Sequence, residues 1–184
     1  MIKRYSITIQ SLSDTEVIEQ LPRLTQIFLD AFTTADYQAG AQRLSSSYVR
    51  DWLSGIHSRP LGSCLAAFDN GQYAHPNYAC GFGLCMALSE DEFVTQTNLG
   101  QQFDLQTCLY IADLAIDLGH RGRGIGRALV QSIVDSSNGP VFVRTNQHSP
   151  HLHVFYNQCG FTKLEETAYH PDGVQKQYFY HSGQ

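Results

Sequence analysis

Arginine and glycine alternate from Arg121 to Arg127 (Arg121-Gly122-Arg123-Gly124-Ile125-Gly126-Arg127), between an apolar run that ends at Leu118 and a stretch carrying Ile125, Leu129 and Ile133. Those three residues, with Ala128 beside them, recur at helical spacing and predict an amphipathic helix. A glycine inside a helix costs about 1 kcal/mol relative to alanine. Glycine at every second position of this opening therefore points to a backbone that must lie against something a Cβ would push away. Unpaired amides at a helix start, a favourable dipole and adjacent arginines together suit a phosphate-bearing ligand.

Spacing narrows the ligand. A nucleotide-binding P-loop ends in Gly-Lys-Ser/Thr, whereas Gly126 is followed by Arg127-Ala128. The dinucleotide fingerprint needs Gly-x-Gly-x-x-Gly, and the chain reads Gly122-Arg123-Gly124-Ile125-Gly126. A second segment follows. Val141 to Thr145 is β-branched and aromatic and predicts a buried strand; Ser149-Pro150 predicts a cap and a first helical residue. The helix that runs through Val154, Phe155 and Cys159 should stop at Gly160, with Phe161 opening a strand.

Two patterns, Arg121-x-x-Gly124-x-Gly126 after a strand with Leu114-Ala115-Ile116, and Phe155-Tyr156-Asn157-Gln158-Cys159-Gly160-Phe161, resemble the two signatures of the GNAT superfamily of acyl-CoA-dependent N-acyltransferases. They stand in that family's order and about its separation, and cover Tyr110 to Phe161. The resemblance implies an α/β (α+β) fold with a mixed, mostly antiparallel central sheet of about six to seven strands flanked by helices. It also implies acetyl-CoA as cosubstrate, with no metal. Backbone groups along Leu114, Ala115 and Ile116 would pair with the pantetheine, and a main-chain N–H there would polarise the thioester carbonyl. The amides of Arg121, Gly122, Arg123, Gly124, Ile125 and Gly126 would take the pyrophosphate, with charge-assisted contacts from Arg121 and Arg123. Arg127 either reaches the 3′-phosphate or faces water. Ser149 stands where the family often has a cofactor-contacting asparagine, so it serves either the cofactor or the helix start.

Tyr156 matches the family's proton donor to the leaving thiolate; packing against helix and sheet is the alternative. An alkylammonium of pKa ~10.4 must lose a proton before it can attack a carbonyl. Val141 to Thr145 contains no carboxylate for that task. Asp113 is the preferred base or amine anchor, Tyr110 could order a water chain instead, and the Glu90-Asp91-Glu92 cluster is a third candidate or a solvated helix start. The expected reaction is acetyl transfer from acetyl-CoA to a primary amine, a small molecule being favoured. A non-catalytic acyl-CoA-binding module and a protein N-terminal or lysine acetyltransferase are the competing readings.

The remaining sequence bounds these expectations. A chain of 184 residues suits one domain, 1–184, able to bury its own core. The net charge of −5 argues against a nucleic-acid binder. No apolar run approaches the ~20 residues that span a bilayer, and the polar start after Met1-Ile2-Lys3-Arg4 is unlike a signal peptide. Five cysteines without a Cys-x-x-Cys pair read as reduced thiols of a cytoplasmic protein. His148, His151 and His153 lack partners at zinc-site spacing and are read as structural, solvent-facing or lining an acceptor pocket. Homodimers are common in the family; no apolar stripe here demands one.

The element order expected is β-α-α-β-β-β-α-β-α-β-β. It comprises a strand Tyr5–Gln10, a helix capped by Asp14 or Thr15 and split or begun by Pro22, and a helix from Ser45 or Ser46 to His57. Strands at Cys64–Phe68 and Tyr78–Leu88 flank turns at Asp69-Asn70-Gly71 and His75-Pro76-Asn77. Ser89-x-x-Glu92 has the form of a capping box. A long strand Leu105–Leu118 precedes the glycine loop, and two strands, Thr162–His170 and Gln175–His181, end the chain.

Overall fold

Ser13 begins the first helix by a reciprocal exchange: its backbone N–H donates to Glu16 Oε2 at 2.7 Å, and the Glu16 N–H donates to Ser13 Oγ at 3.4 Å. The capping residue is thus Ser13, not Asp14 or Thr15. In the computed structural model, which describes residues 6–32, 45–70, 78–170 and 173–183, helix α1 runs unbroken over Asp14–Phe32. Pro22 neither splits nor begins it. A proline removes one N–H, the donor to the carbonyl four residues back; that carbonyl belongs to Ile18, an exposed residue. Tyr5, residues 71–77 with most of the expected hairpin tip, and Pro171-Asp172 lie outside the described residues.

The strands are β1 (Ile7–Leu12), β2 (Ser63–Asp69), β3 (Ala79–Ala87), β4 (Leu109–Ile116), β5 (Val141–Asn146), β6 (Thr162–Tyr169) and β7 (Gln175–His181). They form one sheet in the order β1-β2-β3-β4-β5-β7-β6. Every described pairing is antiparallel except β4 with β5. Along β2, Cys64, Ala66 and Phe68 enter one apolar cluster and Leu65 and Ala67 another, so both faces of the sheet are covered. Helix α1 and helix α2 (Ser46–Ser54) cover the first face; helix α3 (Ile125–Ser136) covers the second, where Tyr156 and Phe155 of helix α4 (Pro150–Gln158) also pack.

Two departures from regular pairing shape the centre. The β4–β5 ladder joins only Leu109 to Val141, Tyr110 to Phe142 and Ile111 to Val143. Beyond it β4 continues to Ile116 and β5 to Asn146 without pairing to each other, which opens a fork. On the other edge of β4, Leu84 opposes Asp113 while Cys85 opposes Ile111, so Ala112 is an extra, bulged residue.

The expected capping box at Ser89 is not formed. The segment instead makes turns of 3-10 helix at Leu88–Glu90 and Val94–Gln96 and one α-helical turn at Leu99–Gln102. Ser89 Oγ is buried without a hydrogen-bond partner among the described residues. Helix α2 stops at Gly55, short of His57, and β4 begins at Leu109 because Asp104 to Thr107 form a turn closed by Thr107 N–H to Asp104 O at 3.1 Å. Among the described residues no helix is long and apolar enough to cross a membrane.

Candidate active site

A cleft lies on each side of the fork. The first, of about 670 Å³, is lined by Leu114 and Ile116 of β4, by the loop Arg121 to Arg127 except Arg123, and by His151, Leu152, Phe155 and Gln158 of α4. Gly122 and Gly124 sit in the left-handed region at φ +74° and +80°, and a Cβ on either would meet nothing within 4 Å. Backbone conformation, not crowding by protein atoms, therefore demands glycine at both positions, and the space above them is open. Gly124 is also the N-cap of the 12-residue α3 and supplies no side-chain cap, and Gly124, Ile125 and Gly126 at that helix start line the cleft. Gly126 serves packing: its Cβ position is 3.4 Å from the Phe155 ring.

The three arginines divide. Arg121 lines this cleft while its Nε donates to the Ile116 carbonyl at 3.3 Å; Arg127 lines it too and donates to Gln158 Oε1 at 3.0 Å. Arg123 turns away. It donates to the Gly119 carbonyl at 2.7 Å and pairs with Asp69 Oδ2 at 3.6 Å. His120 bridges Asp117 at 2.6 Å and Asp69 at 3.6 Å, and Arg23 of α1 pairs with Asp117 at 2.8 Å. Burial opposes ionisation of Asp117, but the hydrogen bonds and charges of His120 and Arg23 outweigh it and hold the carboxyl below its usual value. Arg123 thus belongs to a clamp that ties the turn to α1 and the end of β2.

The second cleft, again about 670 Å³, opens between α1, α2 and the segment after β3. The bulge places consecutive residues Ala112 and Asp113 on its wall, together with Tyr110. Asp113 Oδ2 accepts from Trp52 Nε1 at 2.7 Å. Burial pushes the Asp113 carboxyl up to about 6, against opposing pulls from the Trp52 hydrogen bond and the Arg144 charge. That value suits a base working near neutral pH. Tyr110 is different: burial and the Asp91 charge hold its phenol well above the ordinary value, so it stays protonated, and it accepts from Arg144 Nε at 3.3 Å.

Asp91 is not part of a solvated helix start. It is 3% exposed, pairs through Oδ1 with Arg144 Nη2 at 3.2 Å and accepts through Oδ2 from Tyr178 OH at 2.5 Å. Glu90 pairs with Arg59 at 3.3 Å, and Arg59 lies 4.5 Å over the Trp52 ring. Trp52, Arg59 and Arg144 on the cleft wall, and Tyr178 behind it on Asp91, are residues that motif reading missed. Of these only Arg144 carried a local signal, as a charge directly after the apolar run Val141-Phe142-Val143.

Other expected residues fall elsewhere. Ala115 is buried against α1 and α2, whereas Leu114 and Ile116 face the first cleft. Ser149 is buried and its side chain makes no capping bond; its carbonyl accepts from the Leu152 N–H at 3.0 Å. Tyr156 is 5% exposed and packs against Phe155, Phe161 and Phe179. It lines neither cleft, but shares its cluster with Ile111 and Val143, the last ladder pair before the fork. His151 lines the first cleft, His153 contacts the Asn146 carbonyl at 3.1 Å, and His148 is exposed; none of the three lines the second.

Residues 62–163 match the family described as acetyltransferase (GNAT) domain. The chain belongs to that family. Solved structures share its fold at low identity. The yncA protein of Salmonella typhimurium, solved with its cofactor acetyl-CoA, is 12% identical, with a TM-score of 0.66 over 97% of this chain and 95% of that one. A phosphinothricin acetyltransferase from Sinorhizobium meliloti, in complex with acetyl-CoA, is 12% identical (TM-score 0.67; 96% and 88% covered). A ribosomal-protein-alanine N-acetyltransferase from Brucella melitensis is also 12% identical (TM-score 0.67; 95% and 99% covered). The last two are named for different acceptors at the same fold similarity, so the fold leaves the acceptor open. No curated protein matches the sequence.

Proposed function

We propose that the protein moves an acetyl group from acetyl-CoA to a primary amine, in a single domain, by direct attack of the nitrogen on the thioester. A small-molecule amine is favoured because the second cleft is a recess of small-molecule size, walled by α1, α2, the segment after β3 and residues of β4 and β5. The observation that carries the reading is the fork itself. It separates two clefts, one with an uncapped glycine-rich helix start and one with a carboxylate of raised pKa.

The residues fit acetyl-CoA as cosubstrate. The left-handed glycines leave open space where backbone amides converge, and Arg121 and Arg127 supply positive charge beside it. Bound there, acetyl-CoA supplies the activated acetyl carbonyl. The unpaired edges of β4 and β5 would hold its pantetheine arm, and a backbone N–H of β4 would donate to the carbonyl oxygen. Asp113 takes the proton that the acceptor ammonium must lose, with Trp52 fixing the carboxylate's orientation. Tyr110, kept protonated and tied to Arg144, orders the wall beside it. Tyr156, beneath the fork, returns a proton to the departing sulfur. A cytoplasmic location belongs to the same proposal and is consistent with cysteines that are all free thiols. A homodimer is the assembly we propose by family likeness alone.

Coenzyme A release measured against a panel of amines and an N-terminal peptide tests the reading. Turnover with small amines, falling about a hundredfold in Asp113→Asn, is expected. Tight acetyl-CoA binding with no release on any acceptor would instead establish a binding module, and turnover confined to the peptide would establish a protein acetyltransferase. In Tyr156→Phe, kcat should fall while acetyl-CoA affinity holds; an unchanged kcat would remove Tyr156 from the chemistry.

A further inference from the structure

Both guanidiniums on the wall of the second cleft already pair with carboxylates of the protein, Arg144 deep in the wall and Arg59 at its partly exposed rim. Arg59 Nη1 pairs with Glu90 Oε2 at 3.3 Å and its guanidinium covers the Trp52 ring at 4.5 Å. Arg144 gives Nη2 to Asp91 at 3.2 Å and Nε to Tyr110 at 3.3 Å, and its Cζ lies 4.1 Å from the Phe93 ring centroid. Its remaining nitrogen, Nη1, is sealed from solvent with no hydrogen-bond partner among the described residues. The partner of Arg144 is itself saturated, because Asp91 Oδ2 holds the Tyr178 hydroxyl at 2.5 Å.

Apart from His170, whose ring packs against Phe93, the other titratable side chains described on the wall that could carry charge near neutral pH are carboxylates. Asp51, Glu92 and Asp113 line the cleft, and no cation among the described residues lies within ion-pair distance of them. The rest of the lining that bears on an acceptor is apolar, chiefly Phe28, Phe32 and Met86. A carboxylate brought into this space would lose water, meet no unpaired arginine or lysine among the described residues and sit beside like charges. An ammonium on an alkyl or aryl body meets none of those penalties.

We infer that the acceptor is a non-acidic amine, an ammonium on an apolar body, and that internal pairing of Arg59 and Arg144 excludes amino acids and other amines carrying a carboxylate. This rests on the second cleft being the acceptor site. Pentylamine, cadaverine and δ-aminovalerate share a chain length and differ in the far group: methyl, ammonium or carboxylate. With the wild-type protein and acetyl-CoA, kcat/KM for pentylamine and for cadaverine should each exceed that for δ-aminovalerate by about tenfold or more, one uncompensated charge's worth of discrimination. δ-Aminovalerate matching or surpassing pentylamine overturns the inference. Glu90→Gln frees Arg59, and the preference for pentylamine over δ-aminovalerate should shrink about threefold; an unchanged preference overturns the role given to the pair.

Failure of the underlying reading looks different. Should none of the three amines release coenzyme A while acetyl-CoA still binds, the cleft is not an acceptor site for turnover. Calorimetric titration of the same compounds into the coenzyme A-loaded protein then reads the charge preference directly. Weaker binding of δ-aminovalerate than of pentylamine upholds it, and equal or tighter binding overturns it.

Discussion

Asp113 has a carboxyl raised to about 6 by burial, and the hydrogen bond from Trp52 Nε1 keeps it from rising further. The active form of a base is the deprotonated one, so kcat/KM should fall as pH drops through about 6. Trp52→Phe removes a donor to the charged form, and that acid limb should move upward by about one pH unit. A limb that stays in place would mean that the titrating base is another group. Stability runs the other way. A folded-state pKa above the ordinary value of 3.8 means that the contribution of this group is fully present below about 3.8 and is lost as pH rises through about 6. Asp113→Asn should therefore raise Tm at pH 8 by roughly 2–4 °C, allowing for the group's partial exposure, with no gain near pH 3.5. Calorimetric scans at the two pH values check this, and the Trp52 donor keeps an acceptor in the variant's side-chain carbonyl.

At the scale of elements, the loop from Arg121 to Gly126 makes a separable demand on backbone and on ligand. Gly124→Val adds strain at φ +80° and fills open space above the helix start. Gly173, in the β6–β7 connection, has φ +84° and likewise nothing within 4 Å of its Cβ position. Both valine variants should lose about 1 kcal/mol of stability or somewhat more. Only the Gly124 variant should weaken acetyl-CoA binding, by about tenfold or more in calorimetric Kd; equal effects on Kd would show that the loop does not hold the ligand. This loop was legible in the sequence because its signal is local: glycine spacing, arginines and the periodicity of α3 all lie within one short stretch. The bulge at Ala112 was not, since it is a mismatch between β3 and β4 and exists only in their pairing. The same holds for Trp52 with Asp113, 61 residues apart, and for Asp91, whose burial is tolerable only because Arg144 and Tyr178 converge on it from β5 and β7. Pro22 misled for a related reason: its cost depends on whether the orphaned carbonyl is exposed, and periodicity does not report that.

For the whole molecule, the proposed placement of acetyl-CoA in the fork would make its binding a change in the sheet and not only in a surface loop. Helix α1 spans both sides of it, with Arg23 in the clamp on the glycine loop and Phe28 and Phe32 on the wall of the second cleft. The ladder from Leu109 to Ile111 is closed, whereas the facing edges of β4 after Ile111 and β5 after Val143 have no strand partner. Amides pointing into the fork should therefore exchange with solvent readily in the free protein, while those within the short ladder stay protected. Saturating acetyl-CoA should slow exchange along the β4 edge from Asp113 to Ile116 as well as at Arg121 to Gly126. At a free concentration of about 100 Kd, binding stabilises the folded state by ~2.7 kcal/mol. For a chain of this length that corresponds to a Tm rise of roughly 5–11 °C. Protection confined to the loop, with the β4 edge still exchanging freely, would mean that the ligand is gripped by its phosphates alone. The thioester would then have no reason to lie between Asp113 and Tyr156, and the division of the molecule into a donor side and an acceptor side would lose its physical basis.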